Sequence, residues 1–274
     1  MKINSSLVSI IVTTKNSQEY IKKCLESIKK QSYKNIEIIV IDNNSTDNTS
    51  KIAKQYTKSV YNKGFERSAQ RNYGIKKAKG TYILYLDSDM ILSKHVVKQA
   101  VIILNNNNKI VALYIPEIIK GDSCWTKIRN FERGFYNETA IDAVRITRKK
   151  DALEIKGFDE NMYAGEDWDF NKRIKKRGEL SSIKAPLYHD EHDFKISNFI
   201  SKKAYYAKGI NSYIKKWGMK DLDLKKQFGL YYRFIGVFIE KGRWKKVVLH
   251  PILTIKMLFL RIALVIIYLF FKNY

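Results

Sequence analysis

Two aspartates one residue apart, Asp87 and Asp89 in Asp87-Ser88-Asp89, close the apolar run Thr81-Tyr82-Ile83-Leu84-Tyr85-Leu86. Side chains alternate along a strand, so residues two apart project the same way. Both carboxylates are therefore expected to point off the carboxyl end of that strand, where open α/β sheets bind their ligands. Such a pair repels itself unless a cation lies beside it, and Mg²⁺ or Mn²⁺ carrying a diphosphate fits the need. An Asp-x-Asp triplet alone also occurs as a solvated turn. A second acidic cluster, Gly165-Glu166-Asp167-Trp168-Asp169, makes a reactive site the stronger reading.

The elements that must position these acids alternate in type. Leu7 to Val12 is a β-branched run that reads as a buried strand, and Ser17 to Lys30 carries Tyr20, Ile21, Cys24, Leu25 and Ile28 at helical spacing. Glu37 to Ile41 is a second strand. It leads into the polar loop Asp42 to Asp47, where Ser45 or Asp47 is placed to cap a helix carrying Ile52, Ala53 and Tyr56. Ser68 to Ala78 reads as a helix stopped by Gly80, and the strand ending at Asp87 follows. Strands and helices at this spacing predict parallel βαβ units with loops for chemistry at the strands' carboxyl ends. Ile110 to Ala164 is less regular, Asn105 to Asn108 reads as a loop, and Phe170 to Arg177 as a short basic helix ending at Gly178.

The 274 residues suffice for one large α/β domain with an appendage, and 45% hydrophobic content supplies a core. The net charge of +24 implies an anionic partner, or else a Lys-rich surface set by biased composition. Two cysteines, Cys24 and Cys124, exclude a disulfide framework. Val247 to Phe271 is almost wholly apolar, interrupted by His250, Pro251, Thr254, Lys256 and Arg261 and preceded by Lys241, Arg243, Trp244, Lys245 and Lys246. Two cations inside that run are expensive at a bilayer centre, so interfacial or re-entrant helices at an anionic membrane surface are expected rather than a clean span. The alternative is a pair of buried helices. Leu7 to Val12 is too short for a secretory signal, which places the expected location at the cytoplasmic face of the cell membrane.

From Leu7 to Pro186 the chain resembles the family-2 inverting glycosyltransferases, on four segments. These are Val8-Ser9-Ile10-Ile11-Val12-Thr13-Thr14-Lys15-Asn16 and Val40-Ile41-Asp42-Asn43-Asn44-Ser45-Thr46-Asp47. The others are Arg71-Asn72-Tyr73-Gly74-Ile75 with Asp87-Ser88-Asp89, and Gly157-Phe158-Asp159-Glu160 with Gly165-Glu166-Asp167-Trp168-Asp169-Phe170 and Arg173. The resemblance implies a GT-A type α/β fold over residues 1–220, with a nucleotide-sugar half to about residue 92, an acceptor half to 220, and a C-terminal helical, membrane-associated extension over 221–274. It implies donor contacts from Thr13, Thr14, Asn16, Asp42, Asn44, Arg71, Asp87 and Ser88. It also implies a divalent metal, Mn²⁺ or Mg²⁺, on Asp87 and Asp89. Thr14-Lys15 departs from the family's more usual Pro or Thr followed by Tyr or Phe. The Glu166-Asp167 pair resembles the motif that supplies the catalytic base, with Asp167 as the base and Glu166 orienting the acceptor.

His189, in Tyr188-His189-Asp190-Glu191-His192, is either a metal or diphosphate contact or a solvated loop residue. Cys124 to Asn137, aromatic and basic, is expected at the acceptor site. The expected partners are a nucleotide-diphosphate sugar, a glycan or lipid-linked acceptor and an anionic membrane, with no nucleic acid. A polyprenyl-phosphate glycosyltransferase is the alternative, but a phosphate acceptor needs no general base and leaves Glu166-Asp167 unexplained. A basic protein that only binds nucleic acid or membrane leaves all four segments unexplained, and no aromatic-basic recognition motif is present.

Overall fold

The computed structural model describes residues 6–272, with side chains to residue 266, so the end of the apolar run reaching Phe271 lies outside the described side chains. In chain order the elements are β1 (Val8–Thr14), α1 (Ile21–Lys29), β2 (Ile36–Asp42), α2 (Thr49–Lys54), β3 (Val60–Asn62), α3 (Arg67–Lys77), β4 (Tyr82–Asp87) and β5 (Met90–Leu92). Then follow α4 (Val96–Asn106), β6 (Ile110–Tyr114), β7 (Glu117–Lys120), α5 (Cys124–Arg133), β8 (Ile146–Arg148), α6 (Lys149–Glu154), α7 (Glu166–Lys175), β9 (Glu179–Ser182) and β10 (Leu187–Asp190). The chain ends in α8 (Ile196–Gly209), α9 (Asn211–Trp217), α10 (Leu222–Phe228), a π-helical turn over Tyr232–Gly236, α11 (Val237–Ile239), α12 (Trp244–Leu249) and α13 (Pro251–Lys272).

Two compact units emerge. The first comprises residues up to Glu117, Ala143–Glu160 and Glu166–Asp190; the second comprises Ile118–Asp142, Asn161–Gly165 and everything from Glu191 onward. α8 and α9 share the second unit with the C-terminal helices.

The first unit is built on a seven-stranded sheet in the order β3-β2-β1-β4-β8-β6-β9. The first four strands are parallel, β8 runs antiparallel to both its neighbours, and β6 pairs parallel with β9. The expected alternation sorts the side chains: Ile10, Val12, Ile38, Val40, Leu84 and Leu86 enter one core with α1 and α4. Ile11, Ile39, Ile41, Ile83 and Tyr85 enter the other, with Ile75 of α3 and Phe170 and Ile174 of α7. Both faces are covered, which is why these strands read as continuous apolar runs.

Several local expectations change. The helix after the Asp42 loop starts at Thr49 without a side-chain cap; Asp47 instead accepts the Thr49 backbone N–H at 2.9 Å, and Ser45 turns back to Asp42. Asn105 and Asn106 finish α4 rather than opening a loop. The acidic cluster is itself helical: Glu166, Asp167 and Asp169 form the first turn of α7, where carboxylates face the positive end of the helix dipole.

In the second unit, Ile128 and Phe135 pack with Phe199, Tyr232, Val237, Phe238, Met257 and Leu260. α13 lies against α8 and α5. Arg261, in the middle of the apolar run, is buried and donates to Glu132 at 2.8 Å and to the Tyr136 hydroxyl at 3.1 Å. The charge inside the run is therefore met by protein. Among the described residues, no helix is long and apolar enough to cross a membrane.

Candidate active site

Parallel pairing brings three strand ends together: Thr14 lies opposite Asp42, and Thr13 opposite Asp87. Thr13 donates to Asp87 Oδ1 at 3.2 Å. Thr14 is buried, and its hydroxyl has no partner among the described residues. Asn16 and Asn44 both adopt left-handed backbone, at φ 46° and 51°. Asn16 Oδ1 accepts the Thr46 N–H at 2.9 Å, and Asn44 Oδ1 accepts from Asn62 at 2.6 Å, so the two loops brace one another. Asp42 is buried and accepts from both the backbone and the hydroxyl of Ser45. In this structure Asp42 holds the loop's shape. Ser88 is buried in the turn between β4 and β5.

Asp87 and Asp89 have different hydrogen-bond partners. β4 ends at Asp87, and the next two residues form a turn. Asp87 accepts from Arg71 at 3.1 Å and lies 4.0 Å from Arg67. Asp89 accepts from His189 Nε2 at 3.0 Å, and His189 Nδ1 lies 3.1 Å from Glu117. Antiparallel pairing of β5 with β10 places His189 opposite Met90 and so beside Asp89. Burial pulls the imidazole's pKa down, but the charge of Asp89 and its hydrogen bond, with Glu117, outweigh that and raise it to about 10.

Among the described residues no three His, Cys, Asp and Glu side chains form a ready metal cage. The residues nevertheless fit a divalent cation shared with a ligand. Asp89 Oδ1 is buried without a partner, and a histidine lies against the same carboxylate. Asp89 and His189 are the fitting pair, His189 once a cation displaces the proton shared with Asp89. Asp87, expected at the metal from sequence, lies against Arg71 and accepts from Thr13.

Arg71 is the hub. Its guanidinium is fully buried, donates to Asp167 Oδ1 at 2.6 Å and to Asp87 Oδ1 at 3.1 Å, and lies 3.7 Å from Glu166. The rings of Tyr85 and Phe158 lie 4.9 and 5.0 Å from it. Burial opposes its charge, yet Asp167 and Asp87 more than compensate and raise its pKa. The Arg71 side chain, for which the resemblance implies a donor contact, is 0% exposed and is held by these carboxylates and rings. Its neighbour Asn72 donates to the Phe158 carbonyl at 2.9 Å and to Glu160 at 2.8 Å, and accepts the Phe158 N–H at 2.7 Å. Gly157 has φ +66°, and a Cβ there would collide with the Asn72 amide.

Burial and the neighbouring charge of Asp167 raise the Glu166 pKa against Arg67 and Arg71; Arg67 lies 3.1 Å from its carboxylate. Asp167 keeps a quarter of its side chain exposed, whereas Glu166 keeps a twentieth. Asp167 is thus the more accessible of the two carboxylates. Sequence reading missed Arg67, Arg145 and Glu117. Arg67 precedes Arg71 by four residues and shares its helix face, a readable signal. Arg145, half-buried near Glu117 and over the Tyr85 ring, lies in the loop just before β8, where nothing in the sequence carries such a signal.

Residues 9–157 match the family model "Glycosyl transferase family 2"; the match ends before the Glu166-Asp167 pair. "Glycosyltransferase GlyG" of Streptococcus pneumoniae serotype 4 (strain ATCC BAA-334 / TIGR4) is 38% identical over 102 residues, 34% of this chain and 34% of that protein. The chain spans about a third of the length of the curated relatives it matches. Among solved structures, S. aureus TarS 1-349 in complex with UDP-GlcNAc superimposes with a TM-score of 0.59 at 20% identity, covering 92% of this chain and 79% of that one. The mannosyltransferase PcManGT from Pyrobaculum calidifontis, in complex with GDP-Man and Mn²⁺, gives 0.62 at 15%, covering 98% and 83%. These likenesses establish a shared α/β glycosyltransferase fold. With the family model matched over more than half of its length, the chain belongs to glycosyltransferase family 2.

Proposed function

We propose that this chain transfers a sugar from a nucleoside-diphosphate sugar to a hydroxyl acceptor with inversion, using Asp167 as general base. The observation that carries the reading is the single guanidinium of Arg71, which joins Asp167 to Asp87 at the carboxyl end of β4. A base and a donor-side carboxylate are thereby held at a fixed separation, as a one-step displacement requires. Structural relatives crystallised with UDP-GlcNAc and with GDP-Man and Mn²⁺ support a nucleotide-sugar donor.

Asp89 and His189 would hold the divalent cation, Mn²⁺ or Mg²⁺, which when bound neutralises charge gathering on the departing diphosphate. This chain's residues do the rest. Asp167 accepts the acceptor's proton through the oxygen that Arg71 leaves open. Arg71 keeps the carboxylate aimed, and Glu166, tied to Arg67, fixes the first turn of α7. Thr13 and Asp87 form the floor beneath the donor, with Thr14, Ser88 and the braced Asn16–Asn44 loops around it. One displacement inverts the anomeric centre and needs no covalent sugar-enzyme.

The acceptor we favour is a glycan, carried on lipid at the cytoplasmic membrane face. Its support is the basic, apolar C-terminal segment and the accessible base, which a polyprenyl-phosphate acceptor would not need. The test is a thermal-shift screen of nucleotide sugars with and without Mn²⁺. A true donor adds to the metal's stabilisation and then yields a free nucleoside diphosphate when a glycan acceptor is supplied. If no nucleotide sugar stabilises the protein in either condition, the proposal fails.

A further inference from the structure

α13 is apolar on two opposite faces. Thr254, Met257, Leu260 and Arg261 turn into the second unit, whereas Ile252, Ile255, Phe259, Ile262 and Ile266 are exposed at spacings of three and four, a single stripe. A surface helix of a globular unit ordinarily turns a polar face to water. The stripe continues beyond the helix: Ile262, Val265 and Ile266 line one open cleft of ≈ 420 Å³ with Leu230, Tyr231, Phe234 and Ile235. Trp244, Val248 and Leu249 of α12 are exposed as well. So large an apolar surface marks an interaction site.

Charge identifies the partner. Lys245 and Lys246 follow Trp244 directly and are exposed, as are Lys241 and Lys256. Residues 191–274 carry 17 Lys and Arg against five Asp and Glu. A second copy placed on this surface across a twofold axis would bring cation-rich flanks toward each other. An anionic bilayer meets both demands: acyl chains take the Ile and Phe side chains, headgroup phosphates take the lysines, and Trp244 suits the boundary between them. Arg261 settles the orientation. Locked to Glu132 on the inner face, it keeps that side of α13 on the protein, leaving only the outer stripe for lipid.

We infer that the exposed faces of α12, α13 and residues 230–235 form a monotopic docking surface for anionic membranes, with α13 lying along the interface. The inference stands on the second unit alone and holds whatever the donor or acceptor proves to be.

The experiment is co-sedimentation of the full chain with vesicles of phosphatidylcholine, alone or mixed with phosphatidylglycerol, in the absence of nucleotide sugar. The wild-type protein should partition strongly to the mixed vesicles. Lys245→Gln/Lys246→Gln should weaken that partition about 30-fold. Ile255→Ser/Phe259→Ser should weaken it at least as much while leaving the urea midpoint unchanged, since both side chains are already exposed. Should the serine variant misfold, brominated lipid provides a second readout: it should quench wild-type tryptophan fluorescence, and Trp244→Phe should remove that component. Absence of wild-type partition, or partition as strong as wild type in both double variants, overturns the inference. So does a wild-type dimer that the serine variant converts to monomer, since this assigns the surface to a second copy.

Discussion

Replacing Arg71 by Met tests whether one buried guanidinium organises the site. Methionine fills much of the space between Tyr85 and Phe158 but leaves Asp87, Glu166 and Asp167 without their shared cation. Breaking a buried ion pair costs about 3–5 kcal/mol. Asp87 and Asp167 retain 21% and 25% side-chain exposure, so water screens them partly and the lower end applies, about 3 kcal/mol. For a unit of this size that is a fall in Tm of about 6–12 °C. The pH dependence has a definite sign. Without Arg71 the crowded acids gain stability by taking up a proton, as burial and Asp167 already favour for Glu166. The variant's native state then binds protons at a pH where unfolded carboxyls, with pKa near ~4, bind few. Its stability relative to wild type should therefore recover as pH falls from about 7 to about 5. Urea unfolding at both pH values, with unchanged m, measures this. A loss below about 1 kcal/mol, the level of an exposed pair, would refute the reasoning, as would a gap that widens in acid.

Asp167→Asn should lower transfer by about 10²–10⁴ and leave nucleotide-sugar affinity unchanged, measured by turnover beside isothermal titration. Asp89→Asn should abolish the stabilisation given by Mn²⁺ alone, read as a thermal shift, while the metal-free unfolding midpoint stays near wild type. Arg261→Met should destabilise the second unit by about 3–5 kcal/mol in urea unfolding, because Glu132 is left buried without its partner; the double change Arg261→Met/Glu132→Gln should recover part of that loss.

Periodicity made the parallel half of the sheet legible. β1, β2 and β4 are uninterrupted apolar runs because both their faces are covered, and each ends on a polar residue that reaches the site. β8 is three residues long and antiparallel, and its identity depends on pairing with β4 and β6 rather than on its own composition. The acids were found, but not their partners. Local alternation names Asp87 and Asp89 but not what they touch: Arg71 for one and, after the turn, His189, a hundred residues away, for the other. The unit boundary was hidden for a related reason. The second unit draws on three separated stretches of chain, and no linker composition marks where each leaves the sheet. The apolar C-terminal run was legible as unusual, and only Arg261's ion pair explains how a charge sits inside it.

Arg67, Arg71 and Arg145 face Asp87, Glu166 and Asp167, three cations against three anions. With Asp89, Glu117 and His189 beside them the site holds five carboxylates against four cationic side chains, so it carries none of the surplus that gives the molecule as a whole +24. Arrival and departure are thereby separated. On the proposed function the surplus charge would draw an anionic nucleotide toward the surface and speed encounter, an effect that added salt weakens. Once inside, the nucleotide would meet a floor without excess cations and not a cationic trap. Ionic strength should then govern how quickly donor is captured, with little influence on how long a spent nucleoside diphosphate stays.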